Sequence, residues 1–260
     1  MSDKPSVHRA AAEGFAAGAE TYVRGRPEYP SQALDWLRDV VGLAEGKTAV
    51  DLGAGTGKFS KLLLATGVRV VAVDPVVPML ERLRRDVRGV EAVVGNAEHV
   101  PLAATSVDAV LCAQSFHWFA TPAAVAEIRR VLKPGGVLGL IWNQRDESVE
   151  WVAQLGKLLA RYEGDAPHMM SGKWREVFPA PGFGPLHETH FAHAHTGAVE
   201  HVLIDRVTSI SFIAALPASD RERVVAELRE LIDATPSLAG LAEVAFPYVT
   251  MAFHCRAIPI

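Results

Sequence analysis

Short apolar runs alternate with amphipathic segments between residues 48 and 142. The runs are short and rich in β-branched residues, as buried strands are, and the intervening segments carry apolar residues at helical spacing. This alternation is typical of βαβ units, in which helices cover a mostly parallel sheet. The predicted strands are residues 48–52, 68–73, 90–94, 107–112 and 137–142. The chain is therefore predicted to have a doubly wound α/β fold.

Several helix starts are recognisable from their capping residues. Thr121 followed by Pro122 predicts a helix start, as does Pro78 after the second strand. Ser31 is expected to cap a helix ahead of the core, and Ser219 with Glu222 forms a capping-box pattern. Beyond the core we expect a helix over 149–162, a loop over 164–184, and strands over 185–195 and 248–258.

The strongest chemical signal is a glycine turn between the first strand and the next helix, with glycines at 53, 55 and 57. Glycine permits sharp turns and lets backbone N–H groups approach a ligand closely. Dinucleotide-binding proteins share such turns, but their third glycine would stand at position 58, where this chain has Lys58. Asp51 would repel a pyrophosphate, whereas its carboxylate suits a cationic amino group. A tight turn without a ligand is the structural alternative.

Two polar positions follow the next strands. Asp74 ends the second strand about 20 residues after the glycine turn, where a carboxylate can accept hydrogen bonds from both ribose hydroxyls. Asn96 and Ala97 follow the third strand, where the Asn96 amide oxygen is predicted to face an adenine amino group and the Ala97 N–H a ring nitrogen. A strand-end cap for Asp74 and a surface turn at Asn96 are the structural alternatives.

As a set these motifs resemble the class I S-adenosylmethionine (SAM) dependent methyltransferases. The resemblance covers residues 48–142 and includes Asp-Leu-Gly-Ala-Gly-Thr-Gly from Asp51 and Leu-Lys-Pro-Gly-Gly from Leu132. The segment 22–30, Tyr-Val-Arg-Gly-Arg-Pro-Glu-Tyr-Pro, and the segment 113–119, Ala-Gln-Ser-Phe-His-Trp-Phe, resemble the trans-aconitate and related small-acid methyltransferases.

The resemblance implies a seven-stranded Rossmann-like sheet of order 3-2-1-4-5-7-6, with strand 7 antiparallel and a helical cap. Residues 185–195 would be strand 6 and residues 248–258 strand 7, and helices within about 197–235 would cover the acceptor. One methyltransferase domain would span 1–260. It would comprise an N-terminal arm (1–30), a SAM-binding core (31–143) and a C-terminal part (144–260).

The resemblance also implies site roles. Gly53 and Gly55 would line the methionine portion of SAM, Asp74 would hold the ribose, and Asn96 and Ala97 would edge the adenine; many relatives have Asp in place of Asn96. Tyr22 and Arg26 would close over the methionine carboxylate, a role that suits a planar guanidinium. An ordinary packed arm is the alternative for these two residues. The remaining predicted cofactor contacts are Asp51, Ala54, Gly57, Pro75, Val76 and Gln114.

The implied activity is methyl transfer to a small molecule, most simply O-methylation of a carboxylate or hydroxyl. His117 follows the fourth strand and is interpreted either as a base or as a wall residue. A carboxylate acceptor needs no base, because it is ionised at neutral pH. The alternatives are a non-catalytic SAM-binding regulatory subunit, C-methylation of a quinone-like acceptor, and an NAD-linked oxidoreductase, which Lys58 disfavours.

Composition restricts the partners. A formal charge of -4 provides no field for a polyanion, and the DNA amino-methylation motif is missing after the fourth strand, so we expect no nucleic acid partner. No apolar run is long enough for a bilayer and the first residues lack a signal-peptide pattern, so we expect no membrane partner and a cytoplasmic protein. Cys112 and Cys255 fit a reduced compartment, and a homodimer is left open.

The predicted sixth strand carries four histidines, which are possible metal ligands. His187, His193 and His195 would share one of its faces, with His190 on the other. No acidic or cysteine ligand at short spacing supports a metal site on this face, so we interpret the histidines as a polar strand face and predict no metal.

Overall fold

A computed structural model describes residues 25–164 and 168–259. Its strands form one sheet of order β3-β2-β1-β4-β5-β7-β6. β7 runs antiparallel to both β5 and β6, and the other neighbouring strands are parallel. The strands are β1 (Thr48–Leu52), β2 (Arg69–Asp74), β3 (Val90–Val94), β4 (Val107–Ala113), β5 (Leu132–Arg145), β6 (His187–Ala198) and β7 (Glu243–Arg256). The predicted Rossmann-like methyltransferase topology is confirmed.

The strands after β4 are longer than predicted or shifted. β5 begins at Leu132, before the Pro-Gly-Gly segment that was expected to separate helix from strand. That segment stays tied to the sheet because the Gly135 N–H donates to the Ala257 carbonyl and the Ala257 N–H donates to Gly136. β6 ends at Ala198 and β7 begins at Glu243, and β6 pairs over its whole length with residues 243–254 of β7.

Helices fill the connections between the strands. In chain order they are α1 (Ser31–Asp35), continued by a π-helical segment (Trp36–Val40), α2 (Lys58–Leu64), α3 (Val77–Asp86), α4 (Pro122–Val131), α5 (Glu150–Glu163), α6 (Arg206–Thr208), α7 (Ser211–Ala214) and α8 (Ala218–Ala234). A π-helical segment, Glu200–Asp205, leads into α6, and 3₁₀ turns span Phe116–Trp118, Met169–Ser171 and Lys173–Val177. The turns at Met169–Ser171 and Lys173–Val177 lie within the stretch 164–184 that was predicted as loop.

The structure confirms the predicted helix cap at Thr121 and contradicts those at Ser31 and Ser219. The Thr121 hydroxyl accepts a hydrogen bond from the Ala124 N–H at 3.1 Å, so that cap is confirmed. The predicted caps at Ser31 and Ser219 are wrong. In α1 the residue before the helix is Pro30, and in α8 it is Pro217, whose carbonyl accepts two first-turn N–H groups. Ser219 therefore lies inside the helix.

The sheet is buried between helices on both faces. α1, α2 and α3 cover one face, where Leu37 and Leu63 pack against strand residues such as Leu111. α4 covers the other face, where Ile128 packs near Trp142. Among the described residues, no helix is long and apolar enough to cross a membrane.

A further apolar cluster joins the C-terminal helices to the end of β7. It contains Leu155 of α5, Val207 of α6 and Leu228 of α8 with Phe246 and Tyr248 of β7. These helices lie beyond the strand ends at which β1, β4 and β5 stop, so they cover the same edge of the sheet as the glycine turn.

Both cysteines are buried strand residues. Cys112 lies in β4 and Cys255 in β7, and both are free thiols. Burial raises the pKa of Cys255 to about 12, so this thiol stays protonated and unreactive at neutral pH.

Candidate functional site

A cleft opens where β1, β4 and β5 end. This is the place at which open α/β sheets bind ligands, because the order in which successive strands are added to the sheet reverses between β1 and β4. The lining residues come from the segment before α1, the glycine turn, α2, the ends of β4 and β5, and α6. They are Arg26, Pro27, Tyr29, Asp51, Gly53, Ala54, Gly55, Thr56, Lys58, Phe59, Ala113, Gln114, Asn143 and Arg206.

Gly53 and Gly55 have different surroundings within the glycine turn. Gly53 has a φ of 74° and a Cβ there would lie 2.6 Å from the Ser115 Cβ, so only glycine lets the turn pack against the end of β4. Gly55 has a φ of 56°, yet a Cβ there would meet nothing within 4 Å. The open space beside Gly55 is the cleft itself, where a ligand can approach the backbone.

Asp74 holds the turn from the end of β2. One carboxylate oxygen accepts the Gly55 N–H at 2.8 Å and the other accepts the Val76 N–H at 2.8 Å. The side chain is buried, and burial raises its pKa while the two backbone donors lower it. Asp74 therefore fixes the Gly55 backbone, and each oxygen keeps a lone pair for a further donor.

Asp51 is the buried acid of the cleft wall. Its Oδ2 accepts a hydrogen bond from the Ser60 hydroxyl at 2.6 Å, whereas its Oδ1 has no hydrogen-bond partner among the described residues. Burial, with the negative charge of Asp74, raises the Asp51 pKa to about 7 although the Ser60 hydrogen bond lowers it. A buried carboxylate oxygen without a donor fits a cationic ligand group.

Gln114 carries the backbone strain of the site. It follows β4 with a φ of 59°, in the left-handed region that disfavours a side chain by about 1–2 kcal/mol. The Gln114 N–H donates to the Ile141 carbonyl at 2.9 Å, which holds this conformation against β5. Non-glycine residues with such dihedrals cluster at functional sites.

Lys58 closes the side of the cleft next to the N-terminal segment. Its Nζ lies 3.1 Å from a Glu28 carboxylate oxygen and donates to the Arg26 carbonyl. Burial lowers the Lys58 pKa, and the Glu28 charge opposes that shift. The lysine that replaces the dinucleotide-type glycine thus anchors residues 26–28 over the glycine turn.

The comparisons with known proteins all match this chain to methyltransferases. A family model described as a methyltransferase domain matches residues 50–140. An uncharacterized methyltransferase-like protein of Schizosaccharomyces pombe is 42% identical over 248 residues, covering 94% of this chain and 96% of its own length. The chain belongs to the class I SAM-dependent methyltransferases.

Two further similarities extend over most of this methyltransferase. An uncharacterized methyltransferase of Mycobacterium tuberculosis is 42% identical over 238 residues, with 92% of each chain covered. A candidate type II methyltransferase of Anaeromyxobacter dehalogenans is 27% identical to this chain. The similarity covers 90% of this chain and 97% of the other, and the two structures superpose with a TM-score of 0.65.

Of the residues predicted to hold the cofactor of this methyltransferase, those that line the cleft are Arg26, Asp51, Gly53, Ala54, Gly55 and Gln114. Within the described residues the lining does not include Gly57, Asp74, Pro75, Val76, Asn96 and Ala97, or the base candidate His117. Gly57 is the residue before α2. Asp74 contacts the cleft lining by accepting the Gly55 N–H, and Val76 donates its N–H to the other Asp74 oxygen. Tyr22 lies outside the described residues.

Asn96 departs from its predicted geometry. Its Oδ1, expected to face an adenine amino group, accepts the N–H groups of Glu98 and His99, each at 2.9 Å. Both lone pairs of that oxygen are engaged in this turn, so the amide nitrogen is left to face a ligand. The Gly95 N–H donates to the Asp74 carbonyl at 3.3 Å, which places this turn directly beside Asp74.

His117 lies in the turn after β4, half-buried against the aromatic residues of the other sheet face. Its Nδ1 accepts a hydrogen bond from the Trp142 indole N–H at 3.1 Å, so in the neutral ring the proton is on Nε2. Burial, with His168 and Arg26 nearby, lowers its pKa to about 3. The basic nitrogen of this imidazole is therefore engaged within the protein.

Several cleft residues of the methyltransferase were missed by sequence reasoning. Asn143 is buried at the end of β5, donates to the Glu28 carbonyl at 3.0 Å and accepts the Thr250 hydroxyl at 2.6 Å. Arg206 comes from α6 and is only 7% exposed. Neither belongs to a recognisable motif, so the available signal was limited to their positions after a strand and in the covering helices.

The predicted histidine face is confirmed as a strand face. His193 pairs with Tyr248 and His195 with Phe246 of β7, whereas His190 bonds Glu188 on the other face at 2.6 Å. Over residues 25–164 and 168–259 no group of three or more His, Cys, Asp or Glu side chains could hold a metal ion.

Proposed function

We propose that this methyltransferase binds SAM in the cleft and transfers its methyl group to an oxygen of a small carboxylic acid. The observation that carries the proposal is the unpartnered Oδ1 of buried Asp51 beside the open space at Gly55. A carboxylate without a donor in a closed wall favours a ligand with a cationic group, which the amino group of a methionine moiety supplies.

The residues present fit the donor along its length. Asp51 would hold the amino group, Arg26 the carboxylate, Asp74 the ribose, and the turn at Asn96 and Ala97 the adenine. When bound, the sulfonium of SAM supplies the methyl group. The protein holds the acceptor oxygen in line with it, a positional effect of about 7–11 kcal/mol at most.

The environment of His117 supports a carboxylate acceptor. A hydroxyl acceptor needs a group that takes its proton, but the Nδ1 of His117 is bonded to Trp142 and its pKa lies at about 3. A carboxylate needs no such group. An O-methyltransferase of malonyl-[acyl-carrier protein] from Serratia marcescens is 36% identical over 94 residues, 36% of this chain and 37% of its own, which agrees with an oxygen acceptor.

Turnover tests the proposal. Formation of S-adenosylhomocysteine would be followed with small carboxylic acids, phenols and prenylated quinones as acceptors. We expect product only with carboxylic acids, as methyl esters that hydroxylamine cleaves. Product only with quinones would mean C-methylation, and SAM binding without turnover on any acceptor would leave a regulatory subunit. A parallel titration with NAD should show no binding.

The wider setting stays a prediction from sequence. It comprises a cytoplasmic location and an acceptor that is neither nucleic acid nor membrane. A homodimer stays open, and sedimentation would decide it.

A further inference from the structure

Ser60 is a fully buried residue in the first turn of α2, behind the cleft wall. Its hydroxyl donates to Oδ2 of Asp51 at 2.6 Å, and the Asp51 side chain is fully buried as well. The helix neighbours Phe59 and Leu63 pack into the core beside β1. This packing fixes the place of the hydroxyl, so α2 holds a hydrogen-bond donor on the carboxylate at the end of β1.

The hydrogen bond gives the two oxygens of Asp51 different roles. Oδ2 is engaged by Ser60, whereas Oδ1 is buried without a hydrogen-bond partner in the part of the chain that the structure describes. Asp51 lines the cleft, and Ser60 is not among the described residues that line it. Because a hydroxyl has a single proton to donate, the other carboxylate oxygen is left for a ligand. Ser60 can therefore act on a bound ligand only through Asp51.

The Ser60 hydroxyl also opposes the forces that would keep Asp51 protonated. Burial and the negative charge of Asp74 raise the Asp51 pKa, and the hydroxyl and backbone N–H of Ser60 lower it, which leaves it at about 7. A donated hydrogen bond stabilises a carboxylate more than it stabilises a carboxylic acid. At neutral pH the carboxyl is about half ionised, so the loss of one donor changes the amount of carboxylate directly.

The other ionisable groups near Asp51 come from three sides. Asp74 approaches from β2 and already accepts two backbone N–H groups. Cys112 lies in β4, where burial raises its pKa well above the usual value, so it stays a neutral thiol. The cations Arg26, Lys58 and Arg206 line the same cleft. A test of Ser60 therefore has to separate Asp51 from these neighbours.

We infer that Ser60 is a positioning residue for the methyl donor: its hydroxyl keeps Asp51 ionised with Oδ1 free for the cleft, and so sets the pH range in which SAM binds. The inference rests on the proposed function, because Asp51 is the proposed partner of the donor amino group. A serine with a purely structural role would change stability equally at every pH and leave the pH profile of binding unchanged.

The variants remove the hydroxyl with little change in shape. Ser60→Ala keeps the backbone N–H, and Ser60→Cys keeps a side chain of similar size with a weak donor, so it carries the test if the alanine variant does not fold. Thr66→Val is the matched control. Thr66 follows α2, is buried and donates to the Leu63 carbonyl at 2.7 Å. Asp51→Asn, alone and combined with Ser60→Ala, isolates the contribution of Asp51.

Urea unfolding between pH 5 and 8.5 follows the proton of Asp51 without a ligand. In the parent protein stability should fall as pH rises to about 7, because the folded state keeps a proton that the unfolded chain releases. Ser60→Ala should raise the Asp51 pKa to about 8, so the fall should continue to about pH 8. Ser60→Cys should lie between the two, and Thr66→Val should keep the slope of the parent.

Calorimetry with S-adenosylhomocysteine at pH 6, 7 and 8.5 measures the effect on binding. If the ligand amino group needs the carboxylate, affinity follows the ionised fraction of Asp51. Ser60→Ala should then bind about ninefold more weakly than the parent at pH 6, about fivefold at pH 7 and less than about twofold at pH 8.5. Comparing variants at the same pH cancels the titration of the ligand. Thr66→Val should stay within about twofold of the parent throughout.

Three results would overturn the inference. They are a loss of affinity by the same factor at every pH, an unfolding slope of Ser60→Ala that matches the parent, and a pH-dependent loss that persists in the Asp51→Asn background. If S-adenosylhomocysteine fails to bind even the parent protein, the proposed function fails and the role of Ser60 fails with it. If it binds and Ser60→Ala leaves the pH profile unchanged, only the role of Ser60 fails.

Discussion

The backbone N–H of Gly55 donates to the Asp74 carboxylate at 2.8 Å, so the end of β2 holds the glycine turn of β1 in place. The same carboxylate accepts the N–H of Val76 at the start of α3. One side chain thus connects two of the elements that would bind the cofactor, and its removal should affect both folding and affinity.

Replacing Asp74 with alanine should weaken SAM binding at least about tenfold, close to 1.4 kcal/mol. Two backbone N–H groups would also lose their acceptor, which should lower the free energy of unfolding by about 1–3 kcal/mol. Calorimetry with SAM and urea unfolding measure the two effects.

Asp108→Ala is the matched control. Asp108 also accepts a backbone N–H, that of Thr48 at 2.9 Å, but at the opposite end of the strands. The Asp108→Ala variant should lose stability and keep its SAM affinity. Equal SAM affinity in both variants would remove the ribose-binding role from Asp74.

Replacing Gly55 with alanine should separate ligand contact from backbone strain. The added methyl group projects into the cleft, so SAM affinity should fall at least about tenfold. Stability should fall by only about 1–2 kcal/mol from the left-handed backbone. Equilibrium dialysis and thermal unfolding provide the measurements.

Gly135→Ala controls for the strain alone, because Gly135 has a φ of 74° and an equally open Cβ position, remote from the cleft. It should lose the same stability and none of the affinity. Equal losses of SAM affinity in Gly55→Ala and Gly135→Ala would reject the hypothesis that Gly55 faces the cofactor.

The raised pKa of Asp51 should make unliganded stability depend on pH. Below about pH 4 the carboxyl is protonated in both the folded and the unfolded state. Between about 4 and 7 the unfolded chain releases this proton and the folded chain keeps it, so stability should fall as pH rises, by a few kcal/mol in order of magnitude. Asp51→Asn should remove that slope in urea unfolding at pH 5 and pH 7.5.

SAM binding should favour the ionised form of Asp51, whereas the unliganded folded protein favours the protonated form. A cationic amino group beside Oδ1 favours the ionised carboxylate, so binding near pH 6.5 should release up to one proton, and affinity should rise with pH through about 7. Calorimetry in buffers of different ionisation enthalpy counts the proton. Unchanged proton release in Asp51→Asn would contradict the assignment.

The reaction rate near neutral pH should not depend on the protonation state of His117. Its lowered pKa means that stability is fully present above about pH 6.5 and is lost as pH falls toward 3, because the unfolded chain binds the proton first. His117→Ala should lower the free energy of unfolding by about 1–3 kcal/mol, since the Trp142 N–H loses its acceptor.

The rate profile of His117→Ala should stay parallel to that of the parent between pH 6 and 8. His117→Gln, which can still accept from Trp142, should restore most of the stability. A bell-shaped profile that disappears in both variants would instead identify His117 as a base.

Local patterns predicted the central strands well. β1 and β3 have their predicted bounds, because short apolar runs in a parallel sheet are bounded by turns on both sides. The capping-box pattern at Ser219 failed because Pro217 supplied an earlier helix start. The strand order came from family resemblance, since strand pairing is a long-range property that periodicity does not encode.

The part of the cleft formed by Asp51, Gly53 and Gly55 was also predictable, because these residues lie at or directly after the end of β1 in the sequence. Arg206 and Asn143 were not, since their meeting depends on how α6 packs over β5 and β7. A single arginine in a helical stretch has the same pattern whether it faces solvent or a cleft.

The antiparallel pairing of β5 and β7 brings residues that are distant in sequence to one cleft. Asn143 at the end of β5 accepts the Thr250 hydroxyl of β7, and Arg206 of α6 donates to the Tyr248 hydroxyl of β7. Asn143 and Arg206 line the same cleft as the glycine turn. Under the proposed function, we therefore expect substitutions on the antiparallel strands to change acceptor choice while the glycine turn is preserved.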